Sequence, residues 1–521
     1  MGLSRIVPLA VEYVFGAFVI YWVAVLSYRL LLHPLRKYPG PFTAKLSDAY
    51  GGYNALRQDL HLLTMRNHKK YGPVFRQGPS RLSFNSLEAL HDIYDNPKVV
   101  KSLVYLSSLG YTGTFNVFSA IEKHVHRPKR QLVGAALTDR AMRKFEPTMA
   151  AEIDVFLKQI LKSTQGSNQL VNASELCRSL AVDIIGQLSF GYPLKTMTEP
   201  TCRFIQEGFT AGNAHNNVTF QFPRLNSRIF TYPMHLLTSG PRKQAFGLVE
   251  KMIHHRISEG KDVRNDFYAH VIDQLPKNEA DMRHSEIWSE SLLLIAAGGD
   301  TTGTGLCGFF FYITQAPDAY RKIADEIRTA FTSASEITSG PKLASCKYLR
   351  ACIDETLRMS PPLTGNLWRQ QAPDDTGLFI VDGHVIPRGT DVSISTYALH
   401  HNPTYYPDPY TYKPERWFET DAEKKRLMSK AFCPFSIGYR SCAGKAMAYL
   451  EMSLTIAKTL FYFDVERAPG KDGELGAGSP GGKMGRERPD EFQLLDNFLS
   501  THDGPNVVFR TRGEVWKELV D

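Results

Sequence analysis

An apolar stretch opens the chain. From Tyr13 to Tyr28 no residue is charged, and Val, Phe, Ile, Trp and Leu dominate. Leu30, Leu31 and Leu32 carry the apolar character past Arg29. A bilayer crossing needs about 20 such residues. The run qualifies if Glu12 and Arg29 snorkel to the two interfaces, with Tyr13, Trp22 and Tyr28 as interfacial aromatics. A cleaved signal peptide would leave a small-x-small site; the chain has Ser27-Tyr28-Arg29-Leu30 there instead. A retained anchor over residues 1–32 is therefore expected. Arg5 precedes the span, while Arg29, Arg36 and Lys37 follow it, so the positive-inside rule puts the bulk of the chain in the cytosol. Pro34, Pro39, Gly40 and Pro41 predict a stiff, non-helical hinge over residues 33–41.

Beyond the hinge the periodicity changes. Residues 59–96 mix a helical run with strand-like alternation at Val74-Phe75-Arg76 and Arg81-Leu82-Ser83-Phe84. From Pro128 to Gly340 apolar residues recur at helical spacing, as in Ile153, Phe156, Leu157, Ile160 and Leu161. Ser285 is placed to cap a long helix running through Leu292 to about Thr314, and another helix spans Pro317 to Thr332. Gly365 to Arg388 predicts short strands with a turn at Pro373-Asp374-Asp375-Thr376-Gly377. Pro403, Pro407, Pro409 and Pro414 predict an irregular meander. One helix follows Cys442, and Phe492 to Arg512 predicts terminal strands. The Gly-rich run from Gly470 to Gly485 predicts a mobile loop.

Composition narrows the class. At 521 residues, 43% hydrophobic and 22% charged, the balance is that of a globular protein with a large core. The formal charge of +8 is spread along the chain, which suits a solvated surface, or a basic face for acidic partners or anionic lipid. No zinc-finger, RNP or basic-zipper pattern appears, so nucleic acid is not an expected partner. The seven cysteines are odd in number, scattered and without Cys-x-x-Cys, which fits a reducing compartment better than a disulfide framework. Asn172-Ala173-Ser174 and Asn217-Val218-Thr219 match glycosylation sequons, which stay unmodified in a cytosolic domain.

The strongest chemical signal is Phe435-Ser436-Ile437-Gly438-Tyr439-Arg440-Ser441-Cys442-Ala443-Gly444. A helix starting after Cys442 aims its N-terminal N–H groups and positive dipole end at the sulfur, which favours thiolate. Gly438 and Gly444 allow close backbone approach to a macrocycle, Phe435 screens the sulfur, and Arg440 can pair with a propionate. This segment resembles the haem-binding loop of the cytochrome P-450 superfamily, F-x-x-G-x-R-x-C-x-G, at every fixed position. The resemblance covers essentially the whole chain. It implies a mainly α fold with small β-sheets, with haem b held between a long distal helix and the Cys442 loop. Residues 42–521 would form that catalytic domain. Cys433, the nearby rival thiol, lies outside the motif and is taken as structural.

Three further motifs take their meaning from this likeness. Glu355-Thr356-Leu357-Arg358 shares a helix face and alone would fit a surface ion pair. The resemblance implies a buried structural triad of Glu355 and Arg358 with Arg416 of Pro414-Glu415-Arg416-Trp417. Ala297-Gly298-Gly299-Asp300-Thr301-Thr302 lies in the long apolar helix, where its glycines would make room beside a ligand. The resemblance makes it the oxygen-activating segment, with Asp300 and Thr301 carrying protons toward dioxygen through ordered water; a kinked core helix with a back-bonded threonine is the alternative. His126 and Arg130 occupy the family's Trp-x-x-x-Arg positions, with His replacing Trp, and Arg369 matches a propionate-binding arginine. A solvated basic cluster remains an alternative for these. Pro128 puts a regular helix there in doubt before about Arg130.

Tyr28-Arg29-Leu30 through Pro39-Gly40-Pro41, His400-His401-Asn402-Pro403 and Gly504-Pro505 are similar to microsomal fungal members. That likeness implies a monooxygenase on the endoplasmic reticulum, its catalytic domain cytosolic, inserting one atom of dioxygen into a lipophilic substrate. With no flavin or nicotinamide fingerprint in the chain, electrons would come from a membrane-bound NADPH–cytochrome P-450 reductase, with cytochrome b5 as an optional second donor, docking on a basic face that includes Arg440 and Lys445. Family recognition regions suggest a pocket from Leu103 to Phe118, Leu294, Ala297, Leu363 to Leu367 and Phe498 to Thr501. Specialised-metabolite biosynthesis is the expected setting. The alternatives are housekeeping lipid, sterol or aromatic-acid hydroxylation, a non-oxygenase haem-thiolate isomerase, dehydratase or reductase, and a non-enzymatic membrane haem binder.

Overall fold

The computed structural model describes residues 3–111, 113–165, 170–227, 239–259, 263, 266–271 and 286–520. Helix α1 (Leu3–Ser27) carries the apolar run; Glu12–Leu32 is long and apolar enough to cross a membrane, and none of that window is buried in protein. Helices α2 (Phe42–Leu46), α3 (Ala49–Leu56) and α4 (Leu60–Tyr71) lead into strands β1 (Val74–Gly78) and β2 (Arg81–Phe84), then α5 (Leu87–Tyr94) and β3 (Val99–Lys101). A helical half follows: α6 (Lys123–Ala136), α7 (Asp139–Gln165), strand β4 (Leu170–Asn172), α8 (Ala173–Phe190), α9 (Phe204–Gln221), α10 (Ser239–Glu259), α11 (Phe267–Val271), α12 (Glu286–Ile313), α13 (Pro317–Ala330), α14 (Pro341–Ser345) and α15 (Lys347–Met359). The chain closes with β5 (Arg369–Gln371), β6 (Ile380–Val381), β7 (His384–Val385), β8 (Asp391–Ile394), α16 (Thr396–His400), α17 (Ala422–Ala431), α18 (Lys445–Tyr462), β9 (Phe463–Arg467) and β10 (Asn506–Thr511).

The main sheet has strand order β1-β2-β8-β5-β3, with β2 and β8 parallel and the other pairs antiparallel. A second sheet pairs β4-β10-β9. The helical core gathers on α12, whose Leu306, Phe309, Phe310 and Ile313 are buried. Such a continuous apolar helix is stable only when enclosed on all sides. Helix α8 presses closest. A Cβ on Gly298 would fall 2.7 Å from Ile185, one on Gly299 2.7 Å from Val182, and one on Gly303 2.9 Å from the Arg178 backbone. Gly298 and Gly299 therefore admit a neighbouring helix; Gly298 also borders the interior cavity, as the sequence suggested, whereas Gly299 does not.

Several local expectations change. The hinge contains one 3-10 turn, Pro34–Lys37, with Pro34 in its first turn, where a missing N–H costs nothing, and His33 Nδ1 accepting from Leu35 N–H at 3.1 Å. Leu35 and Tyr38 are buried, and a Cβ on Gly40 would meet the Arg76 carbonyl at 2.4 Å, so the segment is packed onto β1. Arg29, expected to snorkel, donates to the Leu46 carbonyl, while its own carbonyl accepts from Arg76 at 3.0 Å. Helix α6 continues through Pro128: the bond that proline cannot donate would go to the exposed His124 turn, where water can replace it. The Gly470–Gly485 run is wound and hydrogen-bonded, with Gly478 N–H to Arg488 O at 3.1 Å. Of the terminal strands, Asn506–Thr511 is continuous, and Leu495 with Thr501 forms an isolated bridge. Ser285 lies outside the described residues.

The anticipated triad is present and dry. Glu355 accepts from Arg358 Nε at 3.0 Å and Nη2 at 2.9 Å, from Arg416 Nε at 2.9 Å, and from the Lys413 N–H at 3.0 Å. Burial alone would raise the Glu355 carboxyl; Arg358, Arg416 and that N–H outweigh it and hold it below the usual range. Arg358 also donates to the His400 and Pro409 carbonyls at 2.9 and 2.8 Å. His400 bonds through Nδ1 to the Arg358 carbonyl at 3.2 Å and through Nε2 accepts the Cys433 N–H at 3.0 Å. Burial, then the Arg358 charge, push His400 down to about 3, which keeps it neutral.

Removing one member of a buried ion pair strands the rest, at about 3–5 kcal/mol. Glu355→Gln should cost that much in urea unfolding. His400 has its folded pKa below the free value, so its contribution is intact above about pH 6.5 and is lost as pH falls toward its folded value, by roughly 1.4 kcal/mol per unit. Unfolding midpoints measured from about pH 7.5 to 4.5 should therefore drop, and His400→Gln should flatten part of the drop.

Candidate active site

One cavity of about 1070 Å³ lies between α12 and the segment that precedes α18. Phe435, Arg440, Cys442 and Gly444 line one side; Ala297 and Thr301 of α12 line another; His126, Arg130 and Arg369 complete a third. The expected pocket segments contribute Ser108, Asn116 to Phe118, Leu294, Leu363, Leu367, Phe498 and Leu499.

Cys442 faces this interior space. Its N–H donates to the Phe435 carbonyl at 2.9 Å, which closes the loop. Burial raises the free thiol, while the N–H groups of Gly444 and Lys445 and the charges of Arg130 and Lys445 oppose it. Those N–H groups belong to the start of α18, so the helix end is aimed at sulfur as expected. A Cβ on Gly444 would lie 4.0 Å from the sulfur. Gly438 has a different reason. Its φ is +71°, and a Cβ there would fall 2.2 Å from the Tyr94 carbonyl. It admits the end of α5 and does not line the cavity, so its assignment to the macrocycle is corrected. Cys433 is buried and pushed up to about 12, a poor source of thiolate.

Cations crowd one wall. The β3–β5 register sets Lys101 directly opposite Arg369, at 5% and 3% exposure. Like charges opposed across a ladder repel. Lys101 donates to the Phe118 carbonyl and lies 4.0 Å over the Phe118 ring; burial, then Arg369 and Arg440, press it well below the usual lysine range. Arg369 donates to the Trp368 carbonyl at 3.1 Å, and Arg130 to the Ser441 carbonyl at 2.7 Å. Arg440 turns inward, donating to the Ala120 and Ile121 carbonyls, with its Nε buried and unpartnered. It is thus removed from the expected partner-docking face. His126 is pushed down to about 3 by burial, then by Arg440, Lys101, Arg130 and Arg369. Among the described residues no carboxylate lines the cavity.

This wall fits a dianionic group. Three buried or half-buried arginines, a buried lysine whose charge an entering anion would favour, an orphaned guanidinium N–H and a neutral histidine would suit the two propionates of a haem. Lys101 is a residue that sequence reasoning missed; only the strand pairing, remote in sequence, brings it to Arg369.

On the distal side Thr301 reaches the cavity, with its hydroxyl donating back to the Ala297 carbonyl at 2.8 Å. Asp300 does not reach it. Its Oδ1 accepts from Arg178 Nε at 2.8 Å, while its Oδ2 is buried without a partner. Arg178 also bonds the Gln206 carbonyl at 2.8 Å and the Thr210 hydroxyl, so the pair ties α12 to α8 and α9. Burial raises the Asp300 carboxyl although Arg178 opposes it. Arg178, too, had no signal in its own sequence neighbourhood. Glu355, Arg358 and Arg416 stand away from the cavity, as the structural reading required.

Comparison with known proteins agrees with this geometry. A family model described as cytochrome P-450 matches residues 49–490. The cytochrome P-450 monooxygenase AKT7 of Alternaria alternata is 34% identical, with 94% of this chain and 95% of that protein covered. The monooxygenase apf7 of Gibberella fujikuroi is 33% identical (95% and 97% covered), and atnE of Emericella nidulans 32% (93% of each).

Lys101→Met separates the two electrostatic states. Without haem it removes a like-charge contact, so the apoprotein should unfold at a higher temperature. With haem it deletes a charged partner, for which about 1.5–3 kcal/mol is usual. Haem transfer to apomyoglobin should then quicken by roughly ten- to a hundredfold.

Proposed function

This chain belongs to the cytochrome P-450 family, and on that premise we propose that it is a membrane-anchored monooxygenase oxidising a lipophilic small molecule in fungal specialised metabolism. Family membership carries haem with an axial cysteine thiolate, dioxygen as co-substrate and a redox partner. The observation that carries the site reading is the convergence of Cys442, the Lys101–Arg130–Arg369–Arg440 wall and Thr301 on one cavity.

When bound, haem supplies dioxygen activation and transfer of one oxygen atom to the substrate, the other leaving as water. Cys442 would hold the haem iron through its sulfur, and the N–H groups at the start of α18 would stabilise its negative charge. Phe435 shields the sulfur from water. Lys101, Arg130, Arg369 and Arg440 would hold the propionates, and neutral His126 would offer a ring N–H beside them. Thr301 positions water at the distal face. Asp300, raised by burial, picks up a proton on its unpartnered Oδ2 and passes it toward Thr301 by turning from Arg178. That acid beside Thr301 supports oxygenation over haem-thiolate isomerisation, which needs no such route.

The division into anchor 1–32, hinge 33–41 and catalytic domain 42–521 fits this reading. Charge placement around α1 supports a cytosolic domain on the endoplasmic reticulum. Phe42, Tyr53 and Leu56 are exposed close to the end of the anchor, and Leu56 also lines the cavity, which supports substrate entry from lipid. The electron source is an NADPH–cytochrome P-450 reductase, with cytochrome b5 as an auxiliary, docking where exposed Lys445 marks the proximal face.

Two measurements test this. With reductase and NADPH, product formed under labelled dioxygen should contain one labelled oxygen atom; unlabelled product would favour isomerase chemistry. Cys442→Ser should abolish the thiolate-type Soret band of the reduced carbon-monoxide complex, and a persisting band would move the ligand elsewhere.

A further inference from the structure

The monooxygenase reading leaves the substrate open, and the cavity wall supplied by α9 narrows it. Asn213 and Asn216 both line the cavity. Three residues apart on one helix, they share a face. Asn213 Nδ2 and Asn216 Oδ1 are buried with no hydrogen-bond partner. One is a donor, the other an acceptor. The next residue, Asn217, makes the contrast: its amide donates to the Asp496 carbonyl at 2.7 Å and to Asp496 Oδ1 at 3.2 Å. The helix thus gives the Asn217 amide a protein partner and leaves one unmatched amide atom on each of the two asparagines that line the cavity.

An amide atom held away from water without a partner is costly, and such atoms are rare unless a ligand or ordered water completes them. The neighbouring wall is polar too: Gln58 Nε2 donates to Asn497 Oδ1 at 2.9 Å, and both residues line the cavity. The rest is charge-selective. Every charged side chain on the cavity wall is a cation of the Lys101–Arg130–Arg369–Arg440 group, and among the described residues no carboxylate faces a bound amine. Helix α9 packs mainly on α3, α10 and the Leu103–Tyr111 turn and more lightly on α12, whereas Cys442 lies at the α18 end.

We propose that the substrate is a neutral lipophile bearing an amide, hydroxyl or carbonyl group remote from the carbon oxidised, and that Asn213 and Asn216 receive that group. The inference rests on the monooxygenase reading. A site built to pair a polar group rejects the analogue that lacks it far more strongly than an apolar pocket rejects a missing methylene. The two asparagines therefore act as positioning residues: they set which end of the molecule is turned toward the iron.

The test uses ferric holoenzyme and the Soret shift to high spin, which reports binding without turnover. Matched probes are dodecanamide and dodecanol against dodecane, and testosterone against androstane. The oxygenated member of at least one pair should bind tenfold or more tighter than its hydrocarbon. Asn213→Leu and Asn216→Leu should cut that preference below about threefold and leave hydrocarbon affinity equal or improved, while Asn213→Gln should restore part of it. The proposal is overturned if hydrocarbons bind as well as their partners, if no oxygenated probe gives the shift, if the leucine variants keep the preference, or if the shift has the sign of a polar group bound to iron. The reduced carbon-monoxide band is recorded first for each protein. Its absence in the wild type sinks the monooxygenase reading, whereas a normal band without preference sinks only this inference.

Discussion

The Glu355 carboxylate is the constraint on which the proximal half of the protein depends. Two arginines and a backbone N–H converge on it in a dry interior, and each arginine spends its remaining donors on carbonyls of the meander. Such a cluster adds little net stability over apolar packing, because desolvation offsets most of the attraction. Its value is geometric. Arg358 fixes His400 from two sides, and His400 accepts the N–H of Cys433, two residues before Phe435. Phe435 in turn accepts the Cys442 N–H. A chain of directional bonds thus runs from a charge with no contact to the cavity up to the sulfur that faces it. No link in it is titrated near neutrality, since His400 is held neutral and Glu355 ionised.

The opposite problem governs the cationic wall of the cavity. There the fold brings cations together and provides no anion. Lys101 and Arg369 sit opposed in a ladder, and Arg440 is held by carbonyls that leave one N–H orphaned. Self-repulsion of this kind destabilises the empty protein and is relieved when an anionic group enters, so cofactor affinity and folding stability are linked. The cationic wall also explains why a histidine can stand where the family has tryptophan: in that field the imidazole is neutral and offers one ring N–H without adding a fifth charge.

Legibility from sequence tracked how local each interaction is. The Cys442 loop was readable because ligand, screening ring and helix start lie within ten residues. The triad was readable as a motif, and its burial only through the family resemblance. Pro128 misled because the lost hydrogen bond falls on an exposed turn. The glycines misled in a consistent way. Gly299 and Gly438 were assigned to a ligand because they lie in ligand-binding motifs, but neither lines the cavity, and the atoms that exclude a Cβ there belong to α8 and to the end of α5; Gly298 meets both α8 and the cavity. A glycine's sequence neighbours do not reveal which backbone approaches it. Lys101 and Arg178 went unnoticed for the same reason: each gains its meaning from a partner more than a hundred residues away.

Chemistry and specificity therefore occupy separate parts of this molecule. The Cys442 loop and the Thr301 segment are short motifs on rigid neighbours, and those parts are what one sequence can disclose. The substrate wall is assembled from α3, α9, α12 and the 497–499 turn, which meet only in the fold. Its information lies in unpaired hydrogen-bonding capacity, which no residue carries by itself: Asn213, Asn216 and Asn217 are identical in the sequence, and only their surroundings distinguish the amide that donates to Asp496 from the two with a buried, unpartnered atom. A pocket of this kind can be retuned by changing which amides remain unmatched, while the proximal bond network and the cation wall stay fixed. That separation lets one oxygen-activating core serve different molecules.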